Sequence, residues 1–382
     1  MLEGFMCKFK PFEILTEEQV EAIHRGTLDI LENTGVRFES DKALKLFQKN
    51  DCMVDFEDKR VRFPPALVEE CLRKAPSSFR VRARDPKNDV IIGGNTLYFM
   101  NACGMNAIDP DTWEPRTATR QENYDDVTIM DALENLHFLT TYSPYFGFES
   151  IPPVMGIPES CAAKFRNSSK VQWEGYSQDC EIFTIEMAKV VGADLLVSCY
   201  PSPPLTVYGE AVEAAFRAIE AGFPICIGSG PIIGGTAPAT VAGATISNNA
   251  EEIAGVVLAQ LIKPGAKVIV GDFSFVQNMT SGAPGFGQIG ESLHKAMFSQ
   301  IWRKYGIPTT TGSGPGFSSS KRTDFQSGYE RAILALISAL SRFSIIGLQG
   351  AVYGELSWSP IQAILDDDIA GMIGHFIQGV EV

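Results

Sequence analysis

Short apolar runs alternate with helical segments eight times between residue 96 and the end of this 382-residue chain. Apolar runs that are joined by helical crossovers predict a parallel sheet buried on both faces. Eight such units over about 280 residues fit a closed barrel better than an open sheet. The predicted fold class is therefore α/β, a (β/α)8 TIM barrel with an N-terminal α+β extension.

The predicted barrel strands are 96–100, 136–142, 170–176, 195–200, 223–229, 267–273, 307–313 and 344–350. The predicted helices are 117–133, 157–168, 180–192, 209–221, 239–263, 291–305, 324–342 and 360–378.

The first 95 residues follow a different pattern. The segment "LTEEQVEAIHRGTLDILENTGV" predicts an amphipathic helix in which Thr16 is the N-cap, Gln19 completes a capping box and Gly35 ends the helix. Two more helices and two hairpins, which turn at "EDK" and "DPKND", are predicted before residue 95. The sequence thus predicts two domains, an α+β extension at 1–95 and the barrel at 96–382.

Charge and cysteine usage exclude several classes of function. The net charge of −14 disfavours nucleic acid and anionic lipid as partners. No apolar run reaches the roughly 18 residues of a membrane span, and the N-terminus lacks the apolar core of a signal peptide. The eight cysteines form no CxxC pair, which favours buried free thiols in a reducing compartment. We therefore expect a cytoplasmic protein.

Loop length differs between the two ends of the predicted barrel. Loops before strands are short, such as "KPGA" and "KYG", whereas those after strands are long, such as "SFVQNMTSGAPGFGQIG" and "GAVYGELSWSP". Loops after strands lie on the C-terminal face of a barrel, where active sites are found. The asymmetry predicts a catalytic or binding face at that end.

The loop after the seventh strand, "TGSGPGFSSSKRTDFQSGYE", combines glycines, small hydroxyl residues and charges. It lacks the Gly-Lys-Ser/Thr of a Walker loop, although barrels often bind phosphate near strands seven and eight. A serine nucleophile is disfavoured because only four histidines are present and no G-x-S-x-G elbow occurs. A local ion pair between Lys321 and Asp324 at the following helix is the structural alternative.

Aromatic and carboxylate side chains, rather than histidines, follow the predicted strand ends, which disfavours a zinc site. These candidate residues are Tyr142, Trp173, Glu174, Tyr176, Tyr200, Asp272, Phe273, Phe275, Tyr353 and Trp358. Aromatic faces together with a carboxylate suit a quaternary ammonium ion, at about 0.5–2 kcal/mol per face. Packing inside the barrel or under the loops is the alternative for each aromatic residue.

Several stretches also resemble the trimethylamine:corrinoid methyltransferase family, in its branch without pyrrolysine, the glycine betaine type. They are "LTEEQVEAIHRGTLDILENTGVRFES", "VRFPPALVEECLRKAPSSFRVRARDP", "YFMNACGMNAIDPDTWEPRTAT", "GSGPIIGGTAPATVAGA" and "GSGPGFSSSKRTDFQSGYE". Together they extend the resemblance over essentially the whole chain. The resemblance implies a (β/α)8 barrel, as the alternation does, and transfer of a methyl group from an amine to the Co(I) corrinoid of a small partner protein.

The resemblance implies that the nucleophile is the partner's cobalt, so this chain needs no catalytic nucleophile, no metal ligands and no tightly bound cofactor of its own. Trimethylamine enzymes of the family use pyrrolysine, which this chain lacks, so a quaternary amine is the expected substrate, glycine betaine first and other betaines next. Family members continue beyond the point where this chain stops, so a C-terminal segment is expected to be missing. A homo-oligomer is possible.

On this interpretation the aromatic residues hold the ammonium group. Backbone N–H groups of "GSGPG", with Ser318, Lys321 or Gln326, would hold a substrate carboxylate or face the corrinoid. Two alternatives stay open from the sequence: a barrel enzyme that binds a phosphorylated metabolite at the loops of strands seven and eight, and a betaine-binding barrel without catalysis.

Overall fold

The computed structural model describes residues 3–140 and 151–380. Before the barrel, the described residues form six short strands and three α-helices. Their bounds are β1 (Phe5–Met6), α1 (Glu17–Asp29), β2 (Val36–Phe38), α2 (Asp41–Lys49), β3 (Met53–Asp55), β4 (Arg60–Arg62), α3 (Pro65–Lys74), β5 (Ser78–Val81) and β6 (Val90–Gly93).

Strands and helices alternate from Thr96 onwards. The strands are β7 (Thr96–Asn101), β8 (Asn106–Ile108), β9 (Pro115–Arg116), β10 (Phe138–Leu139), β11 (Val171–Glu174), β12 (Leu195–Cys199), β13 (Thr206–Val207), β14 (Ile225–Ser229), β15 (Ile232–Ile233), β16 (Val268–Asp272), β17 (Phe275–Gln277), β18 (Pro284–Gly285), β19 (Thr309–Thr310), β20 (Ile345–Gln349), β21 (Ala351–Val352) and β22 (Ser357–Trp358). The helices are α4 (Arg120–Ala132), α5 (Gly156–Asn167), α6 (Glu181–Val191), α7 (Gly209–Glu220), α8 (Val241–Ile262), α9 (Ile289–Tyr305), α10 (Phe325–Leu340) and α11 (Pro360–Gln378).

Eight of these strands form a closed parallel barrel in the order β7-β10-β11-β12-β14-β16-β19-β20. The parallel pairing of β20 with β7 closes it, with Ile345 opposite Tyr98 and Ile346 opposite Phe99. One of the helices α4 to α11 follows each barrel strand. The predicted (β/α)8 barrel and its alternation are thus confirmed.

The N-terminal elements pack against the outside and the base of the barrel. Helix α1 begins at the predicted capping box of Thr16 and Gln19, and a π-helical segment, Ile30–Thr34, continues it to Gly35, which has a φ of 76°. Helices α1, α2 and α3 contact the long helix α8, and β2 pairs with β13. The division into domains at residue 95 stays a prediction.

The hairpin of β5 and β6 closes the N-terminal end of the barrel. Its side chains Phe79, Val81 and Ile92 are buried in one cluster with residues of the barrel interior, including Met100 and Trp173. Because this end is sealed by apolar side chains, a ligand that enters the barrel must enter from the other end, where the long loops lie.

All eight cysteines are free, and seven of them are buried. Over the described residues, no helix has the length and apolar character to span a membrane.

Candidate active site

A cavity of about 430 Å³ opens at the C-terminal mouth of the barrel. Strand ends and the loops that follow them line it, which agrees with the prediction from loop length. Its described lining consists of Met100, Cys103, Thr140, Trp173, Ser198, Tyr200, Pro201, Ser202, Pro203, Gly228, Gly230, Ile232, Phe273, Phe275, Pro284, Phe286, Ser313, Phe317 and Glu355.

Two groups of aromatic rings form the cavity wall. Tyr200 and Phe273 lie with their ring centroids 5.0 Å apart at an angle of 54°. Phe275, Phe286 and Phe317 form the second group, with centroids 4.9–5.9 Å apart. Such rings present both π-faces and edges, so a cation in the cavity can lie against more than one face.

Three glycines provide the space that the Phe273 ring occupies. A Cβ on Gly228 or Gly312 would collide with the ring, and one on Gly271 would lie 2.8 Å from it. Gly312 also has a φ of 54°, which other residues rarely adopt. The glycines at these strand ends therefore fix the position of an aromatic wall.

Hydrogen bonds hold the polar side of the cavity. The Trp173 indole donates to Ser198 Oγ over 2.9 Å, and the Ser198 hydroxyl donates to the Tyr200 hydroxyl over 3.0 Å. The backbone N–H of Cys103 donates to Ser313 Oγ over 3.1 Å. Burial raises the pKa of the Cys103 thiol to about 12, so this thiol is uncharged at neutral pH and is a weak nucleophile.

Glu355 is the one charged side chain among the described residues that line the cavity. It lies in the loop after β20, and although part of its side chain is exposed, desolvation at the mouth raises its pKa above the ordinary value. It was not among the site residues predicted from the sequence. Its position two residues after Tyr353, in one of the elaborated loops, does not by itself indicate that it reaches the mouth.

A buried charged cluster lies behind the cavity, where strand β16 meets helix α9. Asp272 Oδ2 is 3.0 Å from His294 Nδ1 and 3.6 Å from Lys295 Nζ, and Lys295 is 3.5 Å from Glu291. Burial opposes ionisation of Asp272, but the charges of His294 and Lys295 outweigh it and hold its pKa well below the usual range. Burial raises the pKa of Glu291 to about 8. The cluster fixes the strand end that carries Phe273.

Two buried glutamates on helix α8 hold the end of strand β14. Glu251 accepts hydrogen bonds from the Ser229 hydroxyl and, over 2.8 Å, from the Leu205 N–H. Glu252 accepts from the Ser229 N–H over 3.1 Å. Burial raises the pKa of Glu251 to about 7 and that of Glu252 well above its usual range.

The raised pKa of Glu251 predicts that stability falls as the pH rises from acidic to neutral. Because the folded pKa of about 7 exceeds the ordinary 4.5, this contribution is full below pH 4.5 and is lost as pH rises to about 7. Glu251→Gln retains an acceptor and a donor at the same place but does not titrate. The difference in unfolding free energy, variant minus wild type, should therefore increase by about 3 kcal/mol between pH 4 and pH 8. Urea unfolding at the two pH values measures this difference.

The exposed Glu210 on helix α7 offers a matched control for this experiment. The difference between Glu210→Gln and wild type should stay within about 0.5 kcal/mol over the same pH range. If the unfolding free energies of Glu251→Gln and wild type change with pH in parallel, the raised pKa of Glu251 is contradicted.

The structure separates the predicted site residues into several groups. Trp173, Tyr200, Phe273 and Phe275 line the cavity together. Tyr142 lies outside the described residues.

Three other predicted residues lie close to this group without lining the cavity. The Tyr176 hydroxyl donates to the Tyr200 carbonyl over 3.3 Å. Glu174 forms a fully buried ion pair with Lys164 of α5, and Asp272 belongs to the cluster at α9. The two predicted carboxylates thus face the surrounding helices.

The remaining predicted residues lie around the loops of strands β19 and β20. Ser318 donates to Glu330 over 2.6 Å, and Gln326 donates to the same carboxylate over 2.8 Å. Lys321 lies 5.0 Å from the centroid of the Tyr353 ring. Trp358 is buried, and its indole donates to the Gln349 carbonyl over 3.3 Å.

The glycine-rich loop itself is buried from residue 311 to residue 318. A Cβ on Gly314 would lie 2.9 Å from Lys295 Nζ, and one on Gly316 would collide with Ala102. The glycines thus permit close packing, and Ser313 and Phe317 reach the cavity. Asp324 caps helix α10 by accepting from the Ser327 N–H over 2.9 Å, and its ion-pair partner is Arg322, at 3.9 Å.

Comparison with known proteins identifies a family for this arrangement. A family model described as trimethylamine methyltransferase (MTTB) matches residues 2–144 and 186–382. A glycine betaine methyltransferase from Desulfitobacterium hafniense strain Y51 is 33% identical over 96% of this chain and 78% of its own length. A trimethylamine methyltransferase, MttB, from Desulfitobacterium hafniense strain DSM 10664 / DCB-2 is 30% identical over 100% of this chain and 79% of its own length.

A solved structure shares the fold. The monomethylamine methyltransferase MtmB of Methanosarcina barkeri superposes with a TM-score of 0.56 over 95% of this chain and 79% of its own, at 12% identity. At that identity the similarity concerns the barrel architecture alone.

Proposed function

Because the chain belongs to the trimethylamine methyltransferase (MTTB) family, we propose that it transfers a methyl group from a quaternary amine to the Co(I) corrinoid of a small partner protein. Glycine betaine is the first candidate substrate, and other betaines follow. The observation that carries this proposal is the cavity at the barrel mouth, with its aromatic walls and one carboxylate. It suits a cation that cannot donate hydrogen bonds, since π-faces and a single negative charge require no donor from the ligand.

Tyr200 and Phe273 would contact the trimethylammonium group, and Glu355 at the mouth would balance its charge. The hydroxyls of Ser202 and Ser313 line the same cavity and are the proposed partners of a substrate carboxylate. Ser318 and Gln326 are less suited to this role, because both already donate to Glu330.

The cavity fits a methyl acceptor that arrives from outside the chain. The Cys103 thiol is uncharged, and no lysine or histidine among the described lining residues could activate a hydroxyl. The exposed mouth residues Pro284 and Glu355 border an opening at the face from which a partner can approach. A corrinoid that its partner protein brings to this mouth supplies the nucleophile.

The residues of this chain then have three tasks. They orient one N-methyl group towards the mouth, they keep water from the opposite side of the ammonium group, and they balance its charge. When the C–N bond breaks, its electron pair stays on nitrogen and a neutral tertiary amine leaves. No proton has to be delivered to this leaving group, so the reaction does not require a general acid in the cavity.

A phosphate site in the loop after β19 receives less support. Its glycines pack against Lys295, Phe273 and Ala102 rather than surround an open space. The buried loop therefore offers little room for a phosphate group at the C-terminal mouth.

Binding of a charge-free isostere tests the proposed site. In 3,3-dimethylbutanoate a carbon atom replaces the betaine nitrogen, so shape and carboxylate remain while the positive charge is lost. We expect wild type to bind glycine betaine about tenfold more tightly than this isostere. Calorimetric titration measures both affinities, and equal affinities would contradict the proposal.

Glu355→Gln should weaken betaine binding about five- to tenfold, because the charge at the partly exposed mouth is removed. Affinity for 3,3-dimethylbutanoate should stay the same or increase. Asp111→Asn, which removes an exposed carboxylate from the loop after β7, serves as the control and should change neither affinity. An unchanged betaine affinity in Glu355→Gln would remove this residue from the site.

A further inference from the structure

The end of the barrel opposite the active site carries a second cavity, of about 200 Å³, which we call the basal cavity. Its lining comes from the segments that lead into strands β19 and β20, the turn between β6 and β7, the end of α9, and Pro11. Two arginines line it, Arg303 near the end of α9 and Arg342 just after α10. No residue of its described lining is acidic.

Arg342 has buried hydrogen-bond donors without acceptors. Its Nη2 donates to the Phe9 carbonyl, whereas Nε and Nη1 are buried and have no hydrogen-bond partner among the described residues. Buried guanidinium N–H groups that lack an acceptor destabilise a fold, so a water or a ligand must accept from them. The two donors lie on different edges of the guanidinium plane, and each can donate a charge-assisted hydrogen bond to an oxygen of a phosphate or carboxylate group.

The charges around the basal cavity are not balanced. Arg303 donates to the Ser341 carbonyl over 2.6 Å, and its ion-pair partner is Glu13, at 3.1 Å, whose side chain is 56% exposed. Burial, together with the charge of Arg342, lowers the pKa of Arg303. Two positive charges thus share a cavity in a chain whose net charge is −14. An anion between them would relieve their repulsion.

The backbone at Arg342 does not favour an arginine. Its φ is 73°, in the left-handed region where glycine is preferred. Helices α6 and α9 end in glycines with similar angles, Gly192 at 74° and Gly306 at 70°. Glycine is therefore compatible with the backbone at residue 342.

We propose that the basal cavity binds a tetrahedral oxyanion of the phosphate type, either inorganic phosphate or the phosphate of a small ester. The guanidinium N–H groups of Arg342 donate to its oxygens, and Arg303 adds the second positive charge. The hydroxyl residues Ser77, Thr309 and Ser344 line the same space and offer further donors. A phosphate group offers more acceptor oxygens to these donors than a single carboxylate does, and this site is independent of methyl transfer.

Calorimetric titration of the full chain at constant ionic strength tests this proposal, with inorganic phosphate and glycerol 3-phosphate as separate probes. Arg342→Gly is the decisive variant, because glycine suits the backbone and the fold should persist. We expect Arg342→Gly to weaken phosphate binding about tenfold or more. Arg342→Lys keeps the charge but loses the planar donors, and it should weaken binding less.

Arg73→Gln, at an exposed position on α3, is the matched control and should bind phosphate like wild type. Tighter binding of one probe would identify the source of the anion, and either preference supports the proposal. Wild type that binds neither probe, or Arg342→Gly that melts cooperatively and binds phosphate as wild type does, would overturn it.

Discussion

Tyr200→Leu should lower kcat/KM for demethylation of a quaternary amine about 30-fold. Tyr200 and Phe273 form the aromatic pair at the centre of the cavity, and a desolvated cation–π contact contributes about 2 kcal/mol. Leucine keeps an apolar side chain at this position but has no π-face. Release of the tertiary amine, followed at saturating corrinoid partner protein, measures the effect.

Tyr200→Phe distinguishes the contribution of the aromatic ring from that of the hydroxyl group. It retains the π-face and loses the hydrogen bond with Ser198, so we expect kcat/KM to fall less than about fivefold. If the leucine and phenylalanine variants lose activity equally, the ring does not contact the cation. If neither loses activity, the ammonium group lies elsewhere.

Lys295→Met should lower the unfolding free energy by about 3–5 kcal/mol. The substitution leaves the Asp272 carboxylate fully buried beside the His294 ring and removes the donor to the Asp272 carbonyl, 3.1 Å away. Removal of one partner from a buried ion pair leaves an uncompensated charge in a medium of low polarity. Urea unfolding at pH 7 measures the difference.

Two further variants define the origin of this effect. Lys189→Met breaks an exposed pair with Glu186 on α6 and should change stability by less than about 1 kcal/mol. The double variant Asp272→Asn/Lys295→Met removes both charges and should recover part of the loss. A double variant less stable than Lys295→Met alone would show that packing, not charge, dominates at this position.

The barrel could be predicted from the sequence because its signals are local. Apolar strands, helical periods and capping residues such as Thr16 are readable within a few neighbouring residues. Each predicted barrel strand overlaps an observed one, although β10 and β19 are much shorter than their predicted ranges. The pairing of β1 with β7 was not predicted, because a two-residue strand has no periodicity to detect.

The cavity was predicted less completely, because an aromatic residue at a strand end can face inwards or outwards. Successive side chains of a strand point to opposite faces of the sheet, and this rule could have assigned the direction of two pairs of neighbouring residues. Trp173 faces the cavity, so its neighbour Glu174 faces α5 and pairs with Lys164. By the same rule Phe273 faces the cavity and Asp272 faces α9.

Glu355 could be assigned to the cavity only from the three-dimensional structure. It lies in an irregular loop, where no period relates a residue to the barrel interior, and only the folded path of that loop brings it to the mouth. The glycines after β19 were equally ambiguous, since a phosphate loop and close packing against neighbouring elements demand the same residue.

Methyl transfer itself is the most direct test of the proposed function. The full chain is mixed under anaerobic conditions with its corrinoid partner protein in the Co(I) state, and glycine betaine, proline betaine, carnitine or trimethylamine is added. We expect loss of the Co(I) absorbance together with an equimolar amount of tertiary amine from one of the quaternary amines, and no reaction with trimethylamine. Reaction with trimethylamine alone, or no tertiary amine from any quaternary amine that the folded protein binds, would contradict the proposed function.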